Sequence, residues 1–311
     1  MPTIHERIEG GLLGLLIGDA LGVPYEFKHP RELPDAHAIE FDPPRGYPRS
    51  HAGVPPGTWS DDGAQALCLL ESLLECGGFD EHDFGSRLVA WYERGHLAVG
   101  GVVFDVGIQT ASALRAIRAG GGPLHAVAAD ASTNGNGALM RVLPLALWSR
   151  GSDAELLEHA RHSSRLTHPH LRSQLCCGLY CLWIRRELAG DRDAWDGAVR
   201  CLLALTANDP VTQLEIERHI LPGSPPDHPG SGYVVDTLRS ARMLLQLETF
   251  EQVVKAAVLL GHDTDTTAAV AGGAAGVRFG VEAIPTRWRT ALRGQKLLEP
   301  LLARLLGVSA K

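Results

Sequence analysis

Glycine recurs at every fourth position in two separate stretches of this chain: Gly10, Gly14, Gly18 and Gly22 in one, Gly272, Gly276 and Gly280 in the other. Four-residue spacing puts each set on one face of a helix. Glycine inside a helix costs about 1 kcal/mol relative to alanine, so a repeated stripe implies close backbone approach that offsets the loss. The pattern predicts two buried central helices packed face to face. Glu9, Asp19 and Arg278 interrupt the stripes, which argues for a soluble core rather than a membrane dimer motif.

Most of the remaining sequence carries the same period. Ala66, Leu67, Leu70, Leu73 and Leu74 recur at helical spacing, as do Leu238, Ala241, Leu244 and Leu245. Alternating Val/Ile/Thr runs of strand type are nearly absent. Val102 to Val106 is the one short candidate, and a mid-helix reading competes with it. The expected fold is all-α, a compact bundle of about a dozen helices. No fixed-period repeat and no Ser/Gly linker divides residues 1–311, so a single domain is expected. Seven prolines between His29 and Gly57 forbid a long helix there and predict an ordered loop. Loops of that length in compact domains more often carry function than merely connect. A second breaker-rich stretch runs from Leu221 to Tyr233, and both are expected at the rim of one cleft.

The 311 residues, 45% hydrophobic and 21% charged, are enough to bury a large core. A formal charge of −7 gives no electrostatic reason to expect a nucleic-acid backbone or an anionic membrane as partner. The six cysteines (Cys68, Cys76, Cys176, Cys177, Cys181, Cys201) form no CxxC pair and mostly sit in apolar helical stretches. They read as reduced core residues of a cytoplasmic protein. The start, Met1-Pro-Thr-Ile-His-Glu-Arg7, lacks the basic and apolar segments of a secretory signal. The most apolar runs, Leu12 to Ile17 and Ala268 to Ala275, are shorter than the ~20 residues a membrane span needs.

Two stretches concentrate oxygen ligands just before helical runs: Gly57-Thr-Trp-Ser-Asp-Asp-Gly-Ala-Gln65 and Gly261-His-Asp-Thr-Asp-Thr-Thr-Ala268. Ser60 suits a helix cap with Asp61 and Asp62 in the first turn, and Thr264 or Asp265 suits the start of the second helix. Capping and the helix dipole account for part of this acid. They do not require both Asp61 and Asp62, nor Asp263, Asp265 and Thr266 together. If the helix starts face one another, the carboxylates and the hydroxyls of Ser60 and Thr266 make a hard, oxygen-only set. Such a set suits Mg²⁺, Mn²⁺ or Ca²⁺ better than zinc or copper. Clustered carboxylates repel one another without a cation, which favours a pair of metals.

With these residues in view, the chain resembles the ADP-ribosylglycohydrolase family, which includes the bacterial dinitrogenase reductase-activating glycohydrolases and the animal ADP-ribosyl-acceptor hydrolases. The markers run in order along almost the whole chain: Gly18-Asp-Ala-Leu-Gly22 with Glu26 downstream, Trp59-Ser-Asp-Asp62, Phe104-Asp-Val-Gly107, Asn134-Gly-Asn-Gly-Ala-Leu-Met-Arg141, Thr167-His168, Gly232-Tyr-Val-Val-Asp236 and Asp263-Thr-Asp-Thr-Thr-Ala268. The resemblance implies an all-α fold with a central binuclear metal cleft that holds two Mg²⁺ or Mn²⁺ and binds ADP-ribose. It implies Ser60, Asp61, Asp62, Asp263, Asp265 and Thr266 as the metal ligands. Serine stands at position 60 where the family commonly has threonine, keeping the oxygen and losing the methyl. Gly63 replaces a threonine that often follows the aspartate pair.

Glu26 matches a glutamate that acts near the metals in some members. A carboxyl there can protonate a leaving group or activate water at the anomeric carbon; without the resemblance it reads equally as an exposed loop glutamate. Asp105 is an alternative acid/base or orienting residue, or else a buried helix cap. The backbone of Asn134, Gly135, Asn136 and Gly137, leading into a helix from Ala138, offers a cradle for a diphosphate, with a plain Asn-Gly turn as the competing reading. Arg141 would pair with phosphate or with a structural acid. His168 is a candidate substrate contact, ahead of His170. Tyr233 would stack on adenine or ribose, or fill the core. The implied activity is removal of ADP-ribose from an ADP-ribosylated protein or an ADP-ribose-containing small molecule. Asn134-Gly-Asn-Gly and Thr167-His-Pro-His resemble the arginine-directed members, and Glu26 with Asp105 would attract a guanidinium, so ADP-ribosyl-arginine is the expected substrate. The competing readings are a non-catalytic, crystallin-like nucleotide binder and a metal hydrolase of an ADP-ribose-like metabolite.

Overall fold

Thr3 starts the first helix: its hydroxyl accepts from Glu6 N (3.2 Å), and Glu6 returns a carboxylate to Thr3 N (2.6 Å). In the computed structural model, which describes residues 1–120, 133–221 and 226–307, this cap opens α1 (Ile4–Gly22). There follow α2 (Asp61–Cys76), α3 (Glu81–Arg94), α4 (Ile108–Arg118), α5 (Leu143–Trp148), α6 (Asp153–Arg165), α7 (Leu171–Ala189), α8 (Ala194–Leu205), α9 (Pro210–Glu215), α10 (Val234–Leu244), α11 (Phe250–Leu259), α12 (Thr264–Phe279), α13 (Thr286–Ala291) and α14 (Gln295–Leu305). Among the described residues there is no strand, and an isolated antiparallel bridge joins Gly135 to Tyr233. The all-α expectation holds.

The striped helices α1 and α12 form the centre. A Cβ at Gly10 would overlap the Gly276 carbonyl, one at Gly14 the Gly272 carbonyl, and one at Gly18 the Ala268 carbonyl. The partners descend α12 as they climb α1, so the helices are antiparallel. Backbone lies on backbone, and the dispersion attraction of that close approach offsets the helix propensity lost at each glycine. The stripe departs from expectation at one end. Gly280 lies just past α12, ending it at φ 79°, yet it still faces α1: a Cβ at Gly10 would overlap its carbonyl carbon, and it packs against Pro2 and Glu6. At the other end Gly22 abuts the Asp265 backbone, and Thr264 Oγ1 donates to Gly22 O (2.8 Å), which closes the corner between the two helices.

Helices α7, α10 and α11 pack on α12, while α2, α5 and α7 pack on α1. The buried apolar side chains form one contiguous cluster around this pair, with Leu12, Leu15, Leu16 and Ile17 wholly buried. The Leu12–Ile17 run understates the length of the apolar segment. Ile4–Tyr25 is long and apolar enough to cross a membrane, with a mean hydropathy of 1.2, but 94% of that window is buried inside the protein. Its apolar surface is satisfied by α12 and its neighbours.

Three local expectations change. Val102–Val106 is neither strand nor helix but an irregular segment between the 3₁₀ turn Val99–Gly101 and α4, with Asp105 at φ 55°. Flanking glycines at 100, 101 and 107 weaken both regular alternatives. Ala138–Val142 forms turns rather than a helix, and α5 begins only at Leu143. Cys76 is exposed, whereas Cys68, Cys176, Cys177 and Cys181 are buried and unpaired as expected. The proline-rich loop has no α-helix, only the 3₁₀ turns Pro30–Glu32 and Ala36–Ala38. In the second breaker-rich stretch, residues 222–225 lie outside the described residues.

Candidate active site

The central helix pair decides where the acids go. Asp19, on α1 three residues before Gly22, accepts from Ser60 N (2.9 Å) and Gly63 N (2.8 Å). A carboxylate on the free amides at the start of α2 docks that helix end onto α1. The start of α12 is held at the same corner by Gly22. In consequence the ligand oxygens of Asp19, Asp62 and Asp265 lie within 4.8 Å of one another, and so do those of Glu26, Asp263 and Asp265. The two acidic stretches meet through Asp265. Ser60 caps α2, accepting from Asp62 N (3.3 Å), while Asp263 occupies the corresponding position of α12 without a side-chain cap bond. Gly63 has a packing reason for lacking a side chain, since a Cβ would meet Leu16 and Trp59 at 2.7 and 2.8 Å.

These acids are buried and poorly satisfied. Asp62 and Asp265 are fully buried, and Asp62 Oδ1 and Asp265 Oδ2 have no hydrogen-bond partner. Burial first, and neighbouring carboxylates second, push Asp61, Asp62 and Asp265 well above the usual carboxylate range and Glu26 up to about 10. Burial also raises Asp263, against the hydrogen bond from Asn136. Asp19 is raised to about 7, burial outweighing the amides of Ser60 and Gly63. As anions these groups are costly unless a positive charge joins them. Orphaned carboxylate oxygens in an oxygen-only set fit a hard divalent cation.

A cleft of about 640 Å³ opens over the acids, lined by Glu26, Phe27, Asp61, residues 105–110, Gly135, Asn136, Gly137, Met140, His168, His262, Asp263 and Thr266. Ser60, Asp62 and Asp265 are buried and take no part in its lining. Asn136 Nδ2 donates to Asp263 Oδ2 (2.8 Å) and to Thr237 Oγ1 (2.9 Å), so it fixes one carboxylate from the cleft wall. A buried relay reaches the opposite wall. Gln65 Nε2 donates to Asp61 Oδ2 (2.9 Å), Arg141 Nη1 to Gln65 Oε1 (2.7 Å) and Arg141 Nη2 to Thr167 Oγ1 (2.7 Å). The Thr167 hydroxyl in turn shares a hydrogen bond with His168 Nδ1 (2.8 Å). Burial, with the nearby Arg141 charge, lowers the His168 pKa to about 3 and keeps the ring neutral.

Four candidate contacts lie elsewhere. Asn134 is outside the lining, its Oδ1 accepting from Ser173 Oγ (3.2 Å) and its carbonyl from Val234 N (3.0 Å). Tyr233 is outside it too; its hydroxyl accepts from Arg172 Nη1 (2.9 Å). Both brace the glycine loop, whose Asn136 N donates to Gly232 O (3.1 Å), from behind. Arg141 is fully buried, outside the cleft lining, and donates to Gln65 and Thr167. His170 caps α7, accepting from Arg172 N (3.1 Å). Of the two loops expected at the rim, the proline-rich one contributes through His51, which touches Glu26, and the described part of the second through Gly230 O, which accepts from Asp263 N (3.0 Å), and Gly232 O, which accepts from Asn136 N (3.1 Å). Sequence reasoning missed Asp19, His51, Gln65 and His262. Asp19 had a signal, being an acid set inside a glycine stripe; the others had none.

The family model described as ADP-ribosylglycohydrolase matches residues 1–311. The chain belongs to the ADP-ribosylglycohydrolase family. Its relatives include ADP-ribosylarginine hydrolase Tri1 of Pseudomonas putida (strain GB-1), 33% identical over 91% of this chain and 73% of the relative. ADP-ribosyl-[dinitrogen reductase] glycohydrolase of Rhodospirillum rubrum is 30% identical, covering 94% and 92%. A solved structure described as an ADP-ribosylglycohydrolase-related protein complex superposes with a TM-score of 0.76 at 32% identity, over 100% of both chains. The glycohydrolase fold is thus matched along its full length, including both acidic stretches.

Proposed function

We propose that this chain is a metal-dependent glycohydrolase that releases ADP-ribose from a modified arginine side chain on protein. The observation that carries the reading is the single cleft in which Glu26, Asp61, Asp105, Asp263, Thr266 and His168 converge over buried, partly orphaned acids. The names of the two relatives, one an ADP-ribosylarginine hydrolase and the other acting on ADP-ribosyl-dinitrogen reductase, support the acceptor and its protein nature. One contiguous core supports a single working domain over 1–311, and the unpaired cysteines support the reducing cytoplasm.

Ser60, Asp61, Asp62, Asp263, Asp265 and Thr266 would hold two divalent ions, Mg²⁺ or Mn²⁺. Bound there, the ions supply Lewis acidity and a template for the ribose hydroxyls. The chain's own groups orient and protonate. Cleaving the N-glycosidic bond needs a proton on the departing nitrogen and a water at the anomeric carbon. Glu26 lines the cleft with its carboxyl within 4.8 Å of Asp263 and Asp265, where it is placed to donate that proton. Asp105 lines the same cleft and offers its carboxylate to the guanidinium. His168 lines the cleft with Nε2 toward Gly135 and Gly137, where its neutral ring can hydrogen-bond a substrate group.

The test is parallel incubation of the pure protein with matched peptides carrying ADP-ribosyl-arginine or ADP-ribosyl-serine and with ADP-ribosylated small molecules. Each is run with Mg²⁺, Mn²⁺ or excess chelator, and free ADP-ribose is measured. Fastest release from arginine, abolished by chelator, is expected. Faster release from serine overturns the acceptor, full activity in chelator overturns the metal centre, and no release from any substrate leaves a binding protein of crystallin type.

A further inference from the structure

Glu26 stands outside both acidic stretches, and its environment differs from that of the acids within them. It follows the 3₁₀ turn Val23–Tyr25 in extended conformation, so no helix orients it. On the cleft side its neighbours are carboxylates, Asp105, Asp263 and Asp265. On the other side, His51 Nε2 lies 2.6 Å from Glu26 Oε2.

That contact is delivered by the proline-rich loop. Ser50 N donates to Pro24 O (3.0 Å) and Ser50 Oγ to Glu26 O, tying the loop's far end to the residues on either side of Tyr25. The His51 ring is held between Phe27 (centroids 5.7 Å) and Phe104 (5.1 Å). His51 and Phe27 both adopt positive φ, 49° and 62°, as does Asp105 beside Phe104 at 55°. Non-glycine residues in this region are strained, and strain that persists at three neighbouring positions marks a constraint imposed by the surrounding structure.

We propose that His51 is a positioning residue for the glycosidic cleavage: through its ring nitrogen it holds the Glu26 carboxyl over the metal-ligand acids, and the proline-rich loop exists in its present path to place it. The inference rests on the function proposed above and on Glu26 as the proton donor. A donor carboxyl that swings away is out of reach of the departing nitrogen, while the ADP-ribose contacts made by the rest of the cleft are untouched. The loss therefore belongs in kcat and not in KM.

Two substitutions separate the ring from its nitrogen. His51→Phe keeps the aromatic packing between Phe27 and Phe104 and removes the hydrogen bond; His51→Gln keeps an N–H donor and removes the ring. With ADP-ribosyl-arginine peptide, His51→Phe is expected to lower kcat at least about tenfold, with KM and the Kd for free ADP-ribose within about twofold of wild type. His51→Gln is expected to recover most of that kcat. Melting temperature and metal-induced stabilisation, read on each variant, should match wild type for His51→Phe. Glu26→Gln is run alongside. If it cripples kcat while His51→Phe does not, or if His51→Gln is no better than His51→Phe, the positioning role is overturned and the function stands. If Glu26→Gln is fully active, the proton-donor assignment and this inference fall together; an inactive wild type removes the function itself.

Discussion

Asp62 shows what a single residue can reveal about the missing charge of this site. Its carboxylate is fully buried, one oxygen has no partner, and Asp19, Asp61 and Asp263 add repulsion. Asparagine at this position has the same shape and no ionisable group. Asp62→Asn is therefore expected to raise the melting temperature of metal-free protein while abolishing its rise on adding Mg²⁺ or Mn²⁺. Activity should fall by two or more orders of magnitude, roughly the scale on which a lost ligand or its outer partner acts. Asp263→Asn should act likewise on metal and activity, read by calorimetry and ADP-ribose release. A variant that kept both metal stabilisation and turnover would remove Asp62 from the ligand set. The acids themselves were legible in the sequence because capping could not account for so many. Their supports were not: Gln65 and His51 are ordinary polar residues until the fold puts them beside Asp61 and Glu26.

At the scale of elements, the α1–α12 contact sets the site's geometry because it fixes where two helix starts lie. Side chains larger than glycine cannot be absorbed there, since the opposing atoms at Gly14 and Gly276 are backbone carbonyls and not flexible side chains. Gly14→Leu and Gly276→Leu are each expected to destabilise by about 3 kcal/mol or more, the upper end of overpacking costs, or to prevent soluble expression. Leucine at the half-buried Gly78, where an added Cβ meets nothing within 4 Å, is the control, measured by urea melts. Soluble, fully active protein from both stripe variants would show that the helices can part without loss. The stripe was legible because period and residue type agree on one explanation. The segment at Val102–Val106 was misread for the opposite reason, as β-branched residues and flanking glycines support conflicting local structures and tertiary contact decides.

For the whole molecule, pH and metal act on one set of protons. The raised carboxyls hold protons more tightly folded than unfolded, so their contribution to metal-free stability is present below the unfolded range near pH 4. It is lost as pH rises through the folded values, about 7 for Asp19 and about 10 for Glu26. A divalent ion binds the ionised ligands and displaces protons, so its stabilisation grows across that window. Between about pH 5.5 and about pH 8.5 the metal-free melting temperature should fall and the increment from saturating Mg²⁺ or Mn²⁺ should rise. Scanning fluorimetry over that range checks both slopes, and an increment independent of pH would falsify the protonated apo site.

The sequence by itself determined the helical class, the close contact of two glycine-faced helices, the family and the identity of the acids, because each is a matter of period, residue type or order along the chain. Tertiary structure alone decided which of those groups share a space. Asn134 and Tyr233 carry motif positions yet support the cleft from behind, while Asp19 and His51 reach the site through partners distant in sequence. The physical reason is that hydrogen bonding and burial depend on distances set only when α1, α2 and α12 have packed. A one-dimensional pattern holds the donors and acceptors but not their separations.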